Sequence, residues 1–146
     1  MIRLSGLMFL TGFLIAGLGF RFGRYALPKG IQLDAAVVFL AAYGLYTEVL
    51  RENTCLSRTI EVQEGQTVID TGLYGIVRHP MYSVTLLLFL SMPVVLGSVY
   101  SLLVFLVYPF IIALRIKNKE TLLEKELPGY CAYQQKVKCR LFPFIR

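Results

Sequence analysis

The chain has 146 residues, of which 56% are hydrophobic. This share is too high for an ordinary soluble globular domain, so the composition excludes that class and predicts a membrane protein. Fifteen Lys and Arg against nine Asp and Glu give a net charge of +6. In a soluble protein this surplus would suggest nucleic acid, but here it flanks apolar segments, as expected at a membrane surface.

Four apolar segments predict four transmembrane helices. A helix rises about 1.5 Å per residue and needs about 20 residues to cross the roughly 30 Å hydrocarbon core. The third and fourth segments share one uncharged stretch, with Gly97 and Ser98 at the turn between them. Pro93 and Pro109 within it predict bends, which either border a cavity or serve packing alone. The predicted spans are residues 4–20, 31–50, 81–97 and 98–116.

The remaining segments are expected on one side of the membrane. The stretch 59–70 alternates weakly and predicts a short hairpin or an extended lid. After the fourth span, we expect cytoplasmic helices over residues 117–137, interrupted at Pro128 and Gly129. The fold class is therefore all-α, a polytopic membrane protein forming a single domain over residues 1–146.

The basic residues predict the orientation. Twelve of the 15 fall in the amino terminus, the loop between spans two and three, and the carboxyl-terminal tail. Because basic residues concentrate on the cytoplasmic side, both termini and the loop are predicted to be cytoplasmic.

Metal and disulfide chemistry is not expected. The three cysteines, Cys55, Cys131 and Cys139, form no C-x-x-C pair, and the single histidine, His79, lies far from them in the sequence. These spacings do not match a metal site or a disulfide framework.

Two polar clusters border spans three and four, at residues 71–82 and 115–133. Pro80 suits the first turn of a helix, which places Arg78 and His79 at the mouth of span three. Free backbone N–H groups there favour an anionic ligand group. The alternative is an interfacial anchor, with Arg78 at lipid phosphates.

A pair of acidic residues follows span four. Glu120 and Glu124 are four residues apart and share one helical face, where either carboxylate can meet a cationic ligand. The alternative is a charged helix exposed to water. His79 likewise has two alternative roles, as a hydrogen-bonding anchor or as a catalytic residue.

The sequence resembles a known family. T-G-x-Y-x-x-V-R-H-P-M-Y, an apolar hairpin, R-x-x-x-[KE]-E-x-x-L, L-P-G-Y-x-x-Y and R-L-x-P occur in this order. The series is similar to the isoprenylcysteine carboxyl methyltransferases and their phospholipid methyltransferase relatives, over about residues 59–146. The resemblance implies S-adenosylmethionine as cofactor and Arg115 facing the methyl acceptor. The implied cofactor contacts are Gln66, Thr67, Val68, Ile69, Tyr74, His79, Pro80, Met81, Tyr82 and Glu120.

Two positions depart from the family. Val84 replaces a small residue common shortly after the H-P-x-Y piece, and the second departure concerns a cofactor contact. Where the family usually has two adjacent glutamates, the first of which contacts the cofactor, this chain has Lys119 and Glu120. We expect Glu120 to face the cofactor and Lys119 to turn toward water or lipid phosphate. In the alternative arrangement, Lys119 faces the pocket and repels a sulfonium.

The predicted function is methyl transfer to a lipophilic acceptor, an isoprenylcysteine-like carboxylate or a lipid head group, at the cytoplasmic face. Arg115 would orient a carboxylate; for an amine or thiol, His79 or Glu120 would accept the proton. The alternatives are a non-catalytic transporter or binding protein of the same fold and a membrane reductase of related fold. The expected partners are the lipid bilayer and the acceptor, without nucleic acid, and the oligomeric state stays open.

Overall fold

The computed structural model describes residues 2–22, 27–52 and 68–142, and all regular structure in these ranges is helical. The all-α class predicted from the sequence is therefore confirmed. A short 3-10 turn, Gly72–Gly75, precedes the third helix. The α-helices of the described ranges are α1 Ile2–Arg21, α2 Lys29–Glu52, α3 Pro80–Val95, α4 Val99–Phe105, α5 Tyr108–Glu126 and α6 Tyr130–Lys136.

Three helical segments are long and apolar enough to cross a membrane, namely Leu4–Arg21, Lys29–Glu52 and the α4–α5 stretch Val99–Glu126. Many of their large apolar side chains are exposed; Leu7, for example, is 61% accessible. Such surfaces are unfavourable in water and favourable against lipid chains, so the chain is a polytopic membrane protein. The apolar helix α3 has only 16 residues, so a fourth crossing stays a prediction.

The turn between α3 and α4 forms where the sequence predicts it. Gly97 adopts a left-handed backbone with φ of +70°, a conformation that glycine reaches without steric cost. Ser98 then begins α4, and its side chain accepts a hydrogen bond from the Ser101 backbone N–H at 3.3 Å. The glycine ends one helix and the serine caps the next.

Pro109 accounts for the interruption between α4 and α5. A proline cannot donate a hydrogen bond to the carbonyl four residues earlier, and its ring crowds that carbonyl. The two residues Leu106 and Val107 accordingly form a turn between the helices. Beyond the turn, Ile111 N–H donates to the Val107 carbonyl at 3.3 Å and the helix continues.

The chain divides into two compact units. The first unit comprises Met1–Gly44 and Val84–Ile111, and the second comprises Leu45–Ser83 and Ile112–Arg146. The single domain expected from chain length stays a prediction.

Aromatic rings form the centre of the first unit, in which α1 packs against α4. The Phe9 ring lies 4.4 Å from Phe89 and 5.4 Å from Phe105, measured between centroids, and Tyr108 packs against Phe89 at 5.0 Å. These edge-on arrangements are favourable for aromatic pairs. The buried Ser101 hydroxyl donates to the Gly12 carbonyl at 2.8 Å, which links α4 to α1.

The second unit has its own apolar cluster where α5 and α6 meet. Its buried members are Leu123, Leu127, Tyr130, Tyr133 and Val137. Gly129, with φ of +85°, makes the break between the two helices. Of the stretch 59–70, for which a hairpin or a lid was predicted, residues 59–67 lie outside the described residues.

Candidate functional site

The motif around His79 forms a tight entry into α3. Pro80 is the first residue of this helix, as its fixed φ and missing N–H favour. The His79 carbonyl accepts hydrogen bonds from Tyr82 N–H at 3.0 Å and Ser83 N–H at 3.2 Å. His79 is buried, with 7% of its surface accessible. These bonds therefore hold the His79 backbone in place at the start of the helix.

A segment near the carboxyl terminus runs beside this entry. We call residues 137–142 the C-terminal strap. Arg78 N–H donates to the Cys139 carbonyl at 2.9 Å, and His79 N–H donates to the Arg140 carbonyl at 3.0 Å. The Ser83 hydroxyl donates to a further strap carbonyl, that of Leu141.

These bonds change one expectation from the sequence. The sequence predicted either free backbone N–H groups at this helix start that favour an anionic ligand, or an interfacial anchor. The N–H groups of Arg78 and His79 lie just before the helix. In the structure, both donate to carbonyls of the C-terminal strap. A buried N–H group needs a partner, and here a distant part of the same chain supplies it.

Glu120 of α5 is the centre of a buried ion cluster. Its Oε1 atom lies 3.1 Å from Arg78 Nη1 and 3.1 Å from His79 Nε2. Its Oε2 atom lies 3.4 Å from Arg140 Nη2. The Glu120 residue is only 6% accessible. Both carboxylate oxygens are therefore engaged by side chains from the α3 entry and the strap.

The protonation state of His79 follows from this environment. Burial lowers the pKa of the imidazole, and the Glu120 carboxylate opposes this shift without reversing it. At neutral pH the ring is therefore uncharged. Since Nε2 faces a carboxylate oxygen, Nε2 carries the proton and donates it in the hydrogen bond. The cluster then combines one negative charge with two positive charges.

The orientation of α5 separates Lys119 from Glu120. Adjacent helical residues point about 100° apart. Glu120 is buried against Arg78 and His79, whereas Lys119 is half-buried. In this orientation Glu120 contacts Arg78 and His79 directly, whereas Lys119 makes no such contact but is near enough to help lower the pKa of His79.

A cavity of about 650 Å³ opens between one face of α5 and the C-terminal strap. This volume lies within the range of sites for small molecules, about 300–1,000 Å³. Its lining is apolar in part and carries charges of both signs. The lining residues are Ala113, Ile116, Lys117, Glu120, Thr121, Glu124, Arg140, Leu141 and Phe142.

Two tyrosines connect the 3-10 turn to α6. The Tyr133 hydroxyl donates to the backbone carbonyl of Tyr74 at 2.6 Å, and both side chains are buried. Burial raises the pKa of Tyr133 to about 12, so the hydroxyl stays protonated as a donor at neutral pH. The resemblance implies that Tyr74 contacts the cofactor. In the structure its backbone carbonyl is bound by the Tyr133 hydroxyl of α6.

The other predicted site residues are distributed around the entry to α3. The Tyr82 ring is half-buried and lies 5.8 Å from the His79 ring, measured between centroids. Pro80 is fully buried and Met81 half-buried. Among the predicted site residues, only Glu120 appears in the described lining of the 650 Å³ cavity.

The remaining predicted residues lie elsewhere in the second unit. Val68 packs against the α5–α6 apolar cluster, and Ile69 beside it is half-buried. Arg115 is half-buried on α5, near enough to Lys119 to affect its charge state. Gln66 and Thr67 lie outside the described residues.

Sequence reasoning missed the part played by Arg78 and Arg140. Arg78 was considered an anchor for lipid phosphates, but its side chain is only 9% accessible and pairs with Glu120. Arg140 belongs to the R-L-x-P piece of the motif series, and its guanidinium faces the same carboxylate. The available signal was that two pieces of the motif series, V-R-H-P and R-L-x-P, each contain an arginine.

Comparison with known proteins identifies the family. The model of the isoprenylcysteine carboxyl methyltransferase family matches residues 34–125, which is more than half of the chain. A search of curated proteins finds no match. The matched region includes His79 and Glu120 of the buried ion cluster. This chain, a membrane protein with apolar helices and that cluster, belongs to the isoprenylcysteine carboxyl methyltransferase family and is a membrane methyltransferase.

Proposed function

We propose that the protein transfers a methyl group from S-adenosylmethionine to the carboxylate of a lipophilic acceptor at the cytoplasmic face. The observation that carries the proposal is the 650 Å³ cavity in a chain of this family. A small-molecule site needs an apolar lining with a few convergent polar groups. The face of α5 and the C-terminal strap provide both.

The chemistry of the lining fits S-adenosylmethionine. This molecule combines a sulfonium, an ammonium, a carboxylate and an aromatic base. The cavity carries an acidic side chain, Glu124, that suits its positive groups, and Arg140 suits its carboxylate. Ile116, Leu141 and Phe142 offer apolar surface for the base. The residues that would hold the cofactor are thus of the required types.

Methyl transfer to a carboxylate requires little acid–base catalysis by the protein. When bound, S-adenosylmethionine supplies a methyl carbon that a nucleophilic oxygen displaces from sulfur, which keeps the electron pair. The protein has to align the two reactants and exclude water. The walls of the cavity serve both purposes.

The state of the ion cluster favours a carboxylate acceptor. An amine or thiol must lose a proton, and the sequence offered His79 or Glu120 to accept it. In the structure, the His79 Nε2–H group donates a hydrogen bond to Glu120, and Glu120 is paired with Arg78 and Arg140. A carboxylate needs no proton acceptor, and Arg115 is proposed to orient it by charge-assisted hydrogen bonds.

Calorimetric titration of the purified protein in nanodiscs tests cofactor binding. We expect binding of S-adenosylmethionine and no binding of a reduced nicotinamide dinucleotide. Ala113→Trp places a large ring at the cavity wall and should abolish the binding, whereas Leu114→Trp changes an adjacent, 57% accessible position outside the described lining. Nicotinamide binding alone, or equal loss in both variants, would contradict the proposal.

The acceptor is tested with two substrates and methyl-labelled S-adenosylmethionine. We expect the label to be transferred to a prenylated cysteine with a free carboxylate. The product would be a methyl ester, so treatment with base should release the label. Vesicles containing phosphatidylethanolamine should remain unlabelled. A base-stable product on the amine lipid would show that the acceptor is a head-group amine instead.

The cytoplasmic orientation is proposed from the distribution of basic residues and can be tested by thiol labelling. Cys131 is exposed and Cys139 half-buried in the second unit. An impermeant maleimide should leave Cys131 unlabelled in intact cells and label it once the membrane is opened. Labelling of Cys131 from outside would overturn this orientation.

A further inference from the structure

Glu120 has no charge left to offer a cationic ligand. Its Oε1 is shared by Arg78 and His79, and its Oε2 faces Arg140. Two guanidinium groups against one carboxylate leave the cluster with a net positive charge. A net positive cluster repels a sulfonium, whatever the charge on Glu120 alone.

Glu124 stands in a different environment on the same side of α5. It lies one helical turn beyond Glu120 and lines the same cavity, but its side chain is exposed. Its Oε1 atom accepts a hydrogen bond from Gln134 Nε2 of α6 at 2.8 Å. Gln134 is a neutral donor, so it orients the carboxylate and leaves its negative charge in place.

Arg140 is one of two basic residues that line the cavity, the other being Lys117 of α5. One guanidinium nitrogen lies 3.4 Å from Glu120 Oε2, while the side chain remains 58% accessible. A guanidinium has five N–H donors, so Arg140 can hold the strap to Glu120 and still meet an anionic group in the cavity. Glu124 and Arg140 thus offer opposite charges on the two walls.

We propose that Glu124, not Glu120, is the carboxylate that contacts the positive charge of the ligand in this cavity. Glu120 is then a positioning residue, which acts through His79, Arg78 and Arg140. This assignment rests on the proposed function, since it takes the sulfonium of S-adenosylmethionine as that positive charge. It differs from the expectation that Glu120 meets the cofactor directly.

A pair of ligands separates the two glutamates. S-adenosylmethionine and S-adenosylhomocysteine share every group except the methyl, and only the first carries the sulfonium charge. Glu124→Gln should weaken S-adenosylmethionine binding about fivefold, as expected for the loss of an exposed ion pair. It should leave S-adenosylhomocysteine binding nearly unchanged. Glu126→Gln removes the same charge at an exposed position of α5 outside the described cavity lining and serves as control.

Glu120→Gln should behave differently. We expect the affinities for both ligands to fall together, with a lower melting temperature. The His79 imidazole gives a readout of positioning by NMR, because it is the only histidine in the chain. Loss of the Glu120 charge should lower the pKa of His79 further, since that charge opposes the effect of burial.

The outcomes distinguish the two proposals. Equal effects of Glu124→Gln and Glu126→Gln on the ratio of the two affinities would overturn the role of Glu124. A selective loss of S-adenosylmethionine binding in Glu120→Gln, with the melting temperature and His79 titration unchanged, would return the contact to Glu120. If the wild type binds neither ligand, the proposed function itself fails, and the role of Glu124 fails with it.

Discussion

The two compact units use different interactions to hold their helices together. In the first unit, helices meet through the rings of Phe9, Phe89 and Phe105 and through one hydroxyl–carbonyl bond. In the second unit, buried charges around Glu120 join α5 to the α3 entry and the C-terminal strap. Helices in a membrane associate through close packing and polar bonds, because burying apolar surface from lipid provides little driving force. Directional polar bonds dominate around Glu120, where charged groups are buried and need partners.

The largest effect is expected from the charge cluster. Glu120→Ala leaves Arg78 buried without its carboxylate, and breaking a buried ion pair from one side costs about 3–5 kcal/mol. The free energy of unfolding can be measured by titration with dodecyl sulfate in micelles. Glu126→Ala, at an exposed position of the same helix, should change it little. Equal stability of the two variants would remove the distinction between the units.

The next largest loss of stability is expected at a close contact between α1 and α4 in the first unit. A methyl group added at Gly12 would overlap the Phe105 ring, which is only 1% accessible and held by other rings. Overpacking of this kind costs about 1–3 kcal/mol. Gly12→Ala should therefore destabilise the protein, whereas Gly17→Ala on the same helix meets no atom within 4 Å. The same micelle titration compares the two, and an unchanged Gly12→Ala would show that the α1–α4 contact adapts.

Removal of one hydroxyl in the second unit should have a smaller effect. Tyr133→Phe keeps the ring and deletes the hydrogen bond to the Tyr74 carbonyl. A single buried hydrogen bond of this kind contributes about 0.5–1.5 kcal/mol net. Tyr43→Phe, at a 56% accessible position, is the control. In thermal unfolding followed by circular dichroism, Tyr133→Phe should have a lower melting temperature than Tyr43→Phe.

Acid should weaken the second unit through His79. Because burial lowers its pKa in the folded protein, the unfolded chain binds a proton first as the pH falls below about 6.5. Stability is therefore complete above that pH and decreases as the pH falls toward the lowered pKa. His79→Gln keeps an N–H donor and removes the titration. Melting temperatures from pH 8 to pH 5 should decrease in the wild type more than in the variant; parallel curves would contradict the neutral imidazole.

The smallest effect is expected at the surface of the second unit. Lys136 Nζ lies 2.6 Å from Asp70 Oδ2, but the two side chains are 66% and 44% accessible. The ion pair lowers the pKa of Asp70, yet exposed pairs add little to stability because water and salt screen them. Lys136→Ala should leave the melting temperature unchanged. A clear decrease would show that ion pairs stabilise this unit even when exposed.

Local features of the fold could be predicted because each depends on a few neighbouring residues. The Gly97 and Ser98 turn, the break at Gly129 and the start of α3 at Pro80 follow from backbone preferences at those positions. The apolar lengths likewise predicted the membrane helices, since the hydrocarbon thickness sets a minimum span. The third predicted span corresponds to α3, which has only 16 residues and is shorter than the three stretches long enough to span a membrane.

The sequence by itself determined the membrane class, the helical class and the motif that contains His79. Only the tertiary structure decided that Glu120 pairs with Arg78, His79 and Arg140, and that the strap carbonyls bind the N–H groups at the α3 entry. Those partners lie 20 to 61 residues apart along the chain. Sequence spacing predicts contacts within one helix or turn, but the pairing of distant charges depends on how the helices pack.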